Sequence, residues 1–263
     1  MDWLHAVAGL FVGVMVGMTG VGGGSLMAPI LILLFGVAPT TAVGTDLWFA
    51  AITKSVGGIV HHRHGGIEGG PDYEVIKRLC IGSLPAAIIV LVLLAQVDAH
   101  QIKSGLIMKA LGGVLVMTAV ATLFRSRFHH WAVHARKGTA NTFLRYQAGL
   151  TVAAGALLGV MVTLTSVGAG ALGATLLLAL YPLRMRLQRL IATDIVHAVP
   201  LTLIAGLGHL WIGNFNLMLL GNLLIGSIPG IIIGSMLASK VSERVLQPLL
   251  AVVLIVAGWR LLA

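Results

Sequence analysis

Charge is what this sequence has least of. Only 10% of its 263 residues are Asp, Glu, Lys or Arg, against about 25% in soluble domains, so a charged shell cannot cover a core of this size in water. Acidic residues are the scarcer kind, eight against 17 Lys and Arg. A single cysteine, Cys80, excludes an intramolecular disulfide and any multi-cysteine metal site. The chain carries no nucleophile elbow, phosphate loop, metalloprotease helix or Cys-x-x-Cys pair, so no motif points to enzyme catalysis or to a cofactor.

What replaces charge is apolar length. Hydrophobic residues make up 58% of the chain and the mean hydropathy is +1.00. Runs such as Leu79–Gln96 and Leu246–Leu262 meet the requirement of roughly 20 residues for a helix that crosses hydrocarbon. The net charge of +9 would raise nucleic acid binding in a soluble protein. Here the basic residues sit in short connections between apolar segments, where Lys and Arg mark the cytoplasmic side. The opening stretch MDWLHAVAGLFVGVMVG lacks a basic leader and runs straight into a Gly-rich apolar segment, so it is expected to be a retained membrane segment.

The chain repeats itself. TGVGGGSL at Thr19–Leu26 is answered by TSVGAGAL at Thr165–Leu172, Thr45-Asp46 by Thr193-Asp194, and His61 by His209. Ile81-Gly82-Ser83-Leu84-Pro85 returns as Ile225-Gly226-Ser227-Ile228-Pro229. Order and approximate spacing both survive, which marks an internal duplication. The sequence therefore predicts an all-α polytopic membrane protein in which each half is a Gly-broken hairpin plus three transmembrane helices. Those helices are expected at 42–62, 75–96 and 102–124, then at 190–210, 217–239 and 244–262.

The expected organisation is a first transmembrane repeat over 1–124, a cytoplasmic basic linker over 125–145 and a second repeat over 146–263. The linker holds Arg125, Arg127, Arg136, Lys137 and Arg145, and the connection with Arg63, Lys77 and Arg78 is basic too. Both belong inside, and the nearly neutral Gln96–Lys103 turn outside. Arg184, Arg186 and Arg189 follow the second broken segment, which puts both of its ends inside and makes it a hairpin, re-entrant or crossing twice, with its turn near Val167–Gly170. By the same parity both ends of the first hairpin lie outside. The halves then run in opposite senses, the inverted-repeat arrangement of many secondary transporters.

Irregular backbone survives within a bilayer only when it is buried in protein or lines a polar cavity. At Gly22, Gly23 and Gly24, and again at Gly168 and Gly170, missing side chains let a ligand approach main-chain N–H groups, and the half-helix that follows presents its positive end. That outlines an anion site, with hydroxyls from Thr19, Ser25, Thr165 and Ser166 at hand. The alternative is that the glycines only allow close helix packing. Their recurrence at both expected turns favours the site.

Ionisable residues within apolar segments are functional candidates, and four stand out: Asp46, Lys54, Asp194 and His197. Lys54 is a candidate counter-charge for an anion. Asp46, Asp194 and His197 are proton-coupling candidates, since a carboxyl beside an anion site has to be protonated or paired with a cation. Asp194 and His197 share one helix face and are able to exchange a proton. The competing roles are helix capping for the two aspartates and a plain buried hydrogen bond for His197. The histidines at His61, His62 and His64, with His129, His130 and His134, invite a metal. They lie in basic connections without carboxylate or thiol companions, and no metal site is expected.

TGVGGGSLMAPIL, AVGTDLWFAAITKSVGG with its counterpart IATDIVHAVPLTLIAGLGH, and GSIPGIIIGSMLASKV together resemble the TauE/SafE family of membrane permeases over nearly the whole chain. The resemblance implies a permease of a bacterial inner membrane that exports or imports sulfite, sulfonates such as sulfoacetate, or related anions, using the proton gradient. It carries the family's Gly-rich segments onto Gly22, Gly23 and Gly24 and, less completely, Gly168 and Gly170. Ala169 and Ala171 depart from the first copy, so the half-sites are expected to be inequivalent. Asp46 and Asp194 stand where many members have Ser. The expected partners are a small anion, protons and lipid, with no nucleic acid; homo-oligomerisation is compatible with all of this. A divalent-metal transporter and an anion channel are the alternatives within transport.

Overall fold

The computed structural model describes residues 3–19, 24–65, 70–96, 104–168, 170–182, 185, 187–237 and 243–262. Ten α-helices account for almost all of them. In the first half these are α1 (Trp3–Thr19), α2 (Gly24–Leu33), α3 (Pro39–Gly65), α4 (Tyr73–Gln96) and α5 (Ser104–Leu123). The second half has α6 (Arg125–Thr165), α7 (Ala171–Leu180), α8 (Leu187–Ile212), α9 (Leu217–Leu237) and α10 (Glu243–Leu262). The six expected long helices fall where apolar length put them. The basic stretch 125–145 is helical as well and continues without interruption into α6.

Among the described residues, four segments suffice by length and composition to cross a membrane: Tyr73–Gln96, Arg145–Thr165, Arg189–Ile212 and Leu217–Leu237. Shorter apolar helices accompany them at Trp3–Met18, Met108–Leu123, Ala171–Leu180 and Ala251–Leu262. On α4 the exposed face is aliphatic, made of Ile81, Ile88, Ile89, Val92 and Leu93. A face of that kind suits lipid, whereas in water it would be a large unsolvated patch. Several buried hydroxyls are satisfied within their own helices, as in Thr53 to Phe49 O, Thr118 to Val114 O and Thr202 to Ala198 O. Away from water such back-bonding spares each hydroxyl an unmet hydrogen bond.

The packing pairs one half with the other. α1 lies along α9 and α4 along α6, while α3 packs on α8 and α5 on α10. Close approach depends on missing side chains. A Cβ on Gly13 would stand 2.4 Å from the Ser227 carbonyl oxygen, and one on Gly159 would stand 2.3 Å from that of Ser83. Ser83 and Ser227 hold matching places in the repeated IGSLP and IGSIP segments, so one contact occurs twice with the halves exchanged. Helix crossings at small residues are the usual solution where lipid offers no hydrophobic drive to associate.

A second reciprocal joint lies at the helix ends. The Asp72 N–H donates to Thr193 Oγ1 at 2.9 Å, and the Asn216 N–H donates to Thr45 Oγ1 at 3.2 Å. The same two residues start the helices that follow. Asp72 Oδ1 accepts the Val75 N–H at 3.3 Å and Asn216 Oδ1 accepts the Leu219 N–H at 3.0 Å, each filling one of the four vacant donor positions at a helix start.

Candidate functional site

The chain breaks where glycine and a left-handed residue allow it. α6 ends at Thr165, and Ser166 takes φ 58° as the cap, its N–H donating to Val162 O at 2.7 Å. Gly168 and Gly170 follow at φ 120° and 130°, a region closed to residues with a Cβ except at a cost. The Thr165 hydroxyl donates to Met161 O at 2.6 Å and accepts the Val167 N–H at 3.1 Å. It braces the break. α7 then starts with Gly173 N–H to Gly168 O at 3.1 Å and Ala174 N–H to Gly170 O at 2.9 Å. Its N-terminal end, buried at Gly170 and Leu172, carries the positive pole of the helix dipole.

α1 runs to Thr19 and α2 starts at Gly24, and residues 20–23, Gly22 and Gly23 among them, lie outside the described residues, as do the side chains of Thr19 and Ser25. The same holds for the side chains of His61, His62, His64, His129, His130 and His134. Among the described residues no group of three His, Cys, Asp or Glu is arranged to hold a metal.

Where α3 packs on α8, the four ionisable candidates come together. Asp46, Lys54, Asp194 and His197 are each at most 2% exposed. Lys54 lies within charge range of Asp194 and Asp46 and of His197. Asp46 is turned toward the Ser166 side chain at the second break and toward the Ala28 backbone in α2. No hydrogen bond of ordinary geometry reaches either of its carboxyl oxygens among the described residues. Asp194 rests on the first turn of α7, so closely that a Cβ on Gly173 would stand 1.9 Å from Oδ1. Each carboxylate thus faces one of the half-helices.

Asp46 and Asp194 each lie seven residues beyond the first residue of their helix, from 39 to 46 and from 187 to 194, too deep to cap it. Among the described residues Asp72 and Asn216 do cap helices, each an Asp or Asn just before an apolar run. His197 does form a buried hydrogen bond, with Nε2 2.9 Å from Ser83 Oγ. Its partner is Ser83 on α4, a residue that sequence reasoning missed because a serine in an apolar helix carries no signal of its own.

A polar network joins α4, α6, α7 and α8 at the ends that carry Asp72 and Arg189. Arg189 Nη2 stands 3.5 Å from Asp72 Oδ2, Thr151 Oγ1 stands 2.8 Å from Tyr181 OH, and Gln147 Nε2 donates to Leu180 O at 2.7 Å. These bonds tether the end of α7 to the first turns of the α6 crossing.

Helices that cross hydrocarbon, a backbone broken inside the packed core and a buried charge cluster between two halves define a multi-pass membrane transporter. The chain belongs to the sulfite exporter TauE/SafE family, which it matches over residues 5–261. It is 38% identical over 261 residues to the probable membrane transporter protein YjnA of Bacillus subtilis (strain 168), covering 97% of each chain. It is 25% identical over 250 residues to the probable membrane transporter protein YdhB of the same organism, covering 95% of this chain and 96% of that one. No solved structure matches it.

Proposed function

We propose that the chain is a secondary transporter that moves a small sulfur-containing anion, sulfite or a sulfonate such as sulfoacetate, across the bacterial inner membrane together with protons. The observation that carries this is the cluster of Lys54 with Asp46 and Asp194, each carboxylate against a half-helix. Two carboxylates and one ammonium sum to −1 when all are ionised. An anion entering beside them adds negative charge in a medium that solvates charge poorly, so a proton on one carboxyl is the simplest compensation. The anion itself is met by the positive ends of α2 and α7 and by Lys54.

Inverted repeats are part of the same proposal, with 1–124 and 146–263 as the two units. The exchanged contacts Gly13–Ser227 and Gly159–Ser83, and the joints Asp72–Thr193 and Asn216–Thr45, are what two such units related by a pseudo-twofold axis produce. In that arrangement the half-helices face each other near the midplane.

The test is flux in proteoliposomes across sulfite, sulfate and sulfoacetate under an imposed pH difference. Uphill anion movement driven by the pH difference is expected, and Asp46→Asn and Asp194→Asn should each abolish the pH drive. Anion flux indifferent to the gradient removes the proton coupling, and the absence of flux for every anion removes the substrate class.

A further inference from the structure

The hydrogen bond between Ser83 and His197 decides which hydrogen the imidazole carries. Ser83 is fully buried, and among the described residues its hydroxyl has His197 Nε2 as its one partner, at 2.9 Å. Thr53, Thr122 and Thr202 behave differently, turning their hydroxyls back onto their own helices. His197 Nδ1 is buried and meets no hydrogen-bond partner among the described residues. Lys54, on α3, lies within charge range of the ring, and Asp194 stands one turn earlier on α8.

Two neutral arrangements can be compared by counting unmet groups. If Nε2 carried the hydrogen and donated to Ser83, the serine hydrogen and the Nδ1 lone pair would both be left buried without a partner. If Ser83 donates to Nε2 instead, the one unmet group is Nδ1–H. A protonated ring would leave the serine hydrogen and Nδ1–H unmet and would add a charge beside Lys54. The second arrangement is therefore favoured. It leaves one buried donor with no acceptor, set among the residues of the candidate anion site.

We infer that His197 contacts the substrate: its neutral ring offers Nδ1–H to an oxygen of the transported oxyanion, and Ser83 is the positioning residue that holds the ring in that tautomer. This rests on the anion-transport proposal and deepens it. The other half cannot supply the same donor. Counting by the 148-residue offset of Thr45 and Thr193, the position matching His197 is Phe49, and the buried hydroxyl of Ser227, which matches Ser83, meets no partner among the described residues. The oxyanion is bound unsymmetrically, with α8 supplying the directional contact.

The amide of Asn can stand in for Nδ1 and that of Gln for Nε2, so the two replacements separate the roles. With sulfite as the probe in proteoliposomes, His197→Asn should raise KM by about twofold, and His197→Gln by about tenfold, the value of one lost hydrogen bond. Ser83→Ala should raise KM by about fivefold in the natural chain and leave it unchanged in the His197→Asn background, because no ring is left to orient. Ser227→Ala should leave KM unchanged in both.

An independent readout comes from 15N spectra of the histidine-labelled, full-length protein, with the His197 signals identified by their loss in His197→Asn. The one-bond proton coupling should appear on Nδ1 and move partly to Nε2 in Ser83→Ala. Coupling on Nε2 in the natural chain overturns the inference, as do equal KM changes for Asn and Gln or an equal cost of Ser83→Ala in both backgrounds. Flux of no anion by the natural chain is a different result, since it removes the anion-transport proposal and this inference with it.

Discussion

Asp72 and Thr193, 121 residues apart, are joined by a backbone-to-hydroxyl hydrogen bond of 2.9 Å that ties the start of α4 to α8. Its counterpart ties Asn216 to Thr45, yet only the first joint is charged. Arg189 stands 3.5 Å from the Asp72 carboxylate, whereas the position matching Arg189 in the first half is Thr41.

That difference makes the two ends of the pair unequal. Asp72→Asn keeps a good cap and the link to Thr193, as Asn216 does naturally, and removes only the pairing with an arginine whose side chain is 36% exposed. The expected loss is about 1 kcal/mol or less. Arg189→Gln removes a cation from beside a carboxylate that is 3% exposed, with a larger expected loss of about 2 kcal/mol. Thermal unfolding in detergent at neutral pH should rank them in that order, and the reverse order would remove the ion pair from the account.

Helix contact through glycine predicts a sharp contrast. Gly159→Ala drives a methyl into the Ser83 carbonyl, which is backbone and cannot turn aside, at an expected cost of about 3 kcal/mol. Gly113→Ala, on α5 with no atom within 4 Å of the added carbon, should change stability by less than about 1 kcal/mol. Equal melting temperatures for the two variants would mean that α4 and α6 are not packed this tightly.

Gly173→Ala probes the site without probing the fold. The added carbon meets Asp194 Oδ1, the mobile end of a side chain, so the carboxylate moves and the helices stay. Flux should fall at least about tenfold, since misplacement by an ångström is enough for that, while the melting temperature stays within a few degrees. Unchanged flux would show that the position of Asp194 does not matter to transport.

Opposed orientation of the halves predicts labelling from opposite faces. With Cys80, the only cysteine, replaced by alanine, single cysteines at Tyr73 and Met218, both exposed and at the matching starts of α4 and α9, should react with a membrane-impermeant thiol reagent from opposite sides. Reaction of both from one side would break the inverted topology.

Much of this architecture is legible along the chain because lipid imposes length. The expected spans 75–96 and 190–210 became Tyr73–Gln96 and Leu187–Ile212, and the expected turn at 167–170 falls between Thr165 and Ala171. The helix over 125–144 was not legible, because polarity marks a segment as outside hydrocarbon without saying whether its backbone is helical. The hydrogen bonds of Thr165 were not legible either, since a hydroxyl beside a break can turn in several directions, and local geometry aims this one at Met161 O and the Val167 N–H.

By itself the sequence determined that this chain lives in lipid, that it breaks its backbone at the glycines near 168–170 and that it buries Asp46, Lys54, Asp194 and His197, because hydropathy, glycine and charge are properties of residues. Only the tertiary structure decided what those residues meet. Ser83 reaches His197 across 114 positions and Asp194 settles on Gly173 because helices from opposite halves cross there, and a crossing depends on the side-chain volumes of both partners at once.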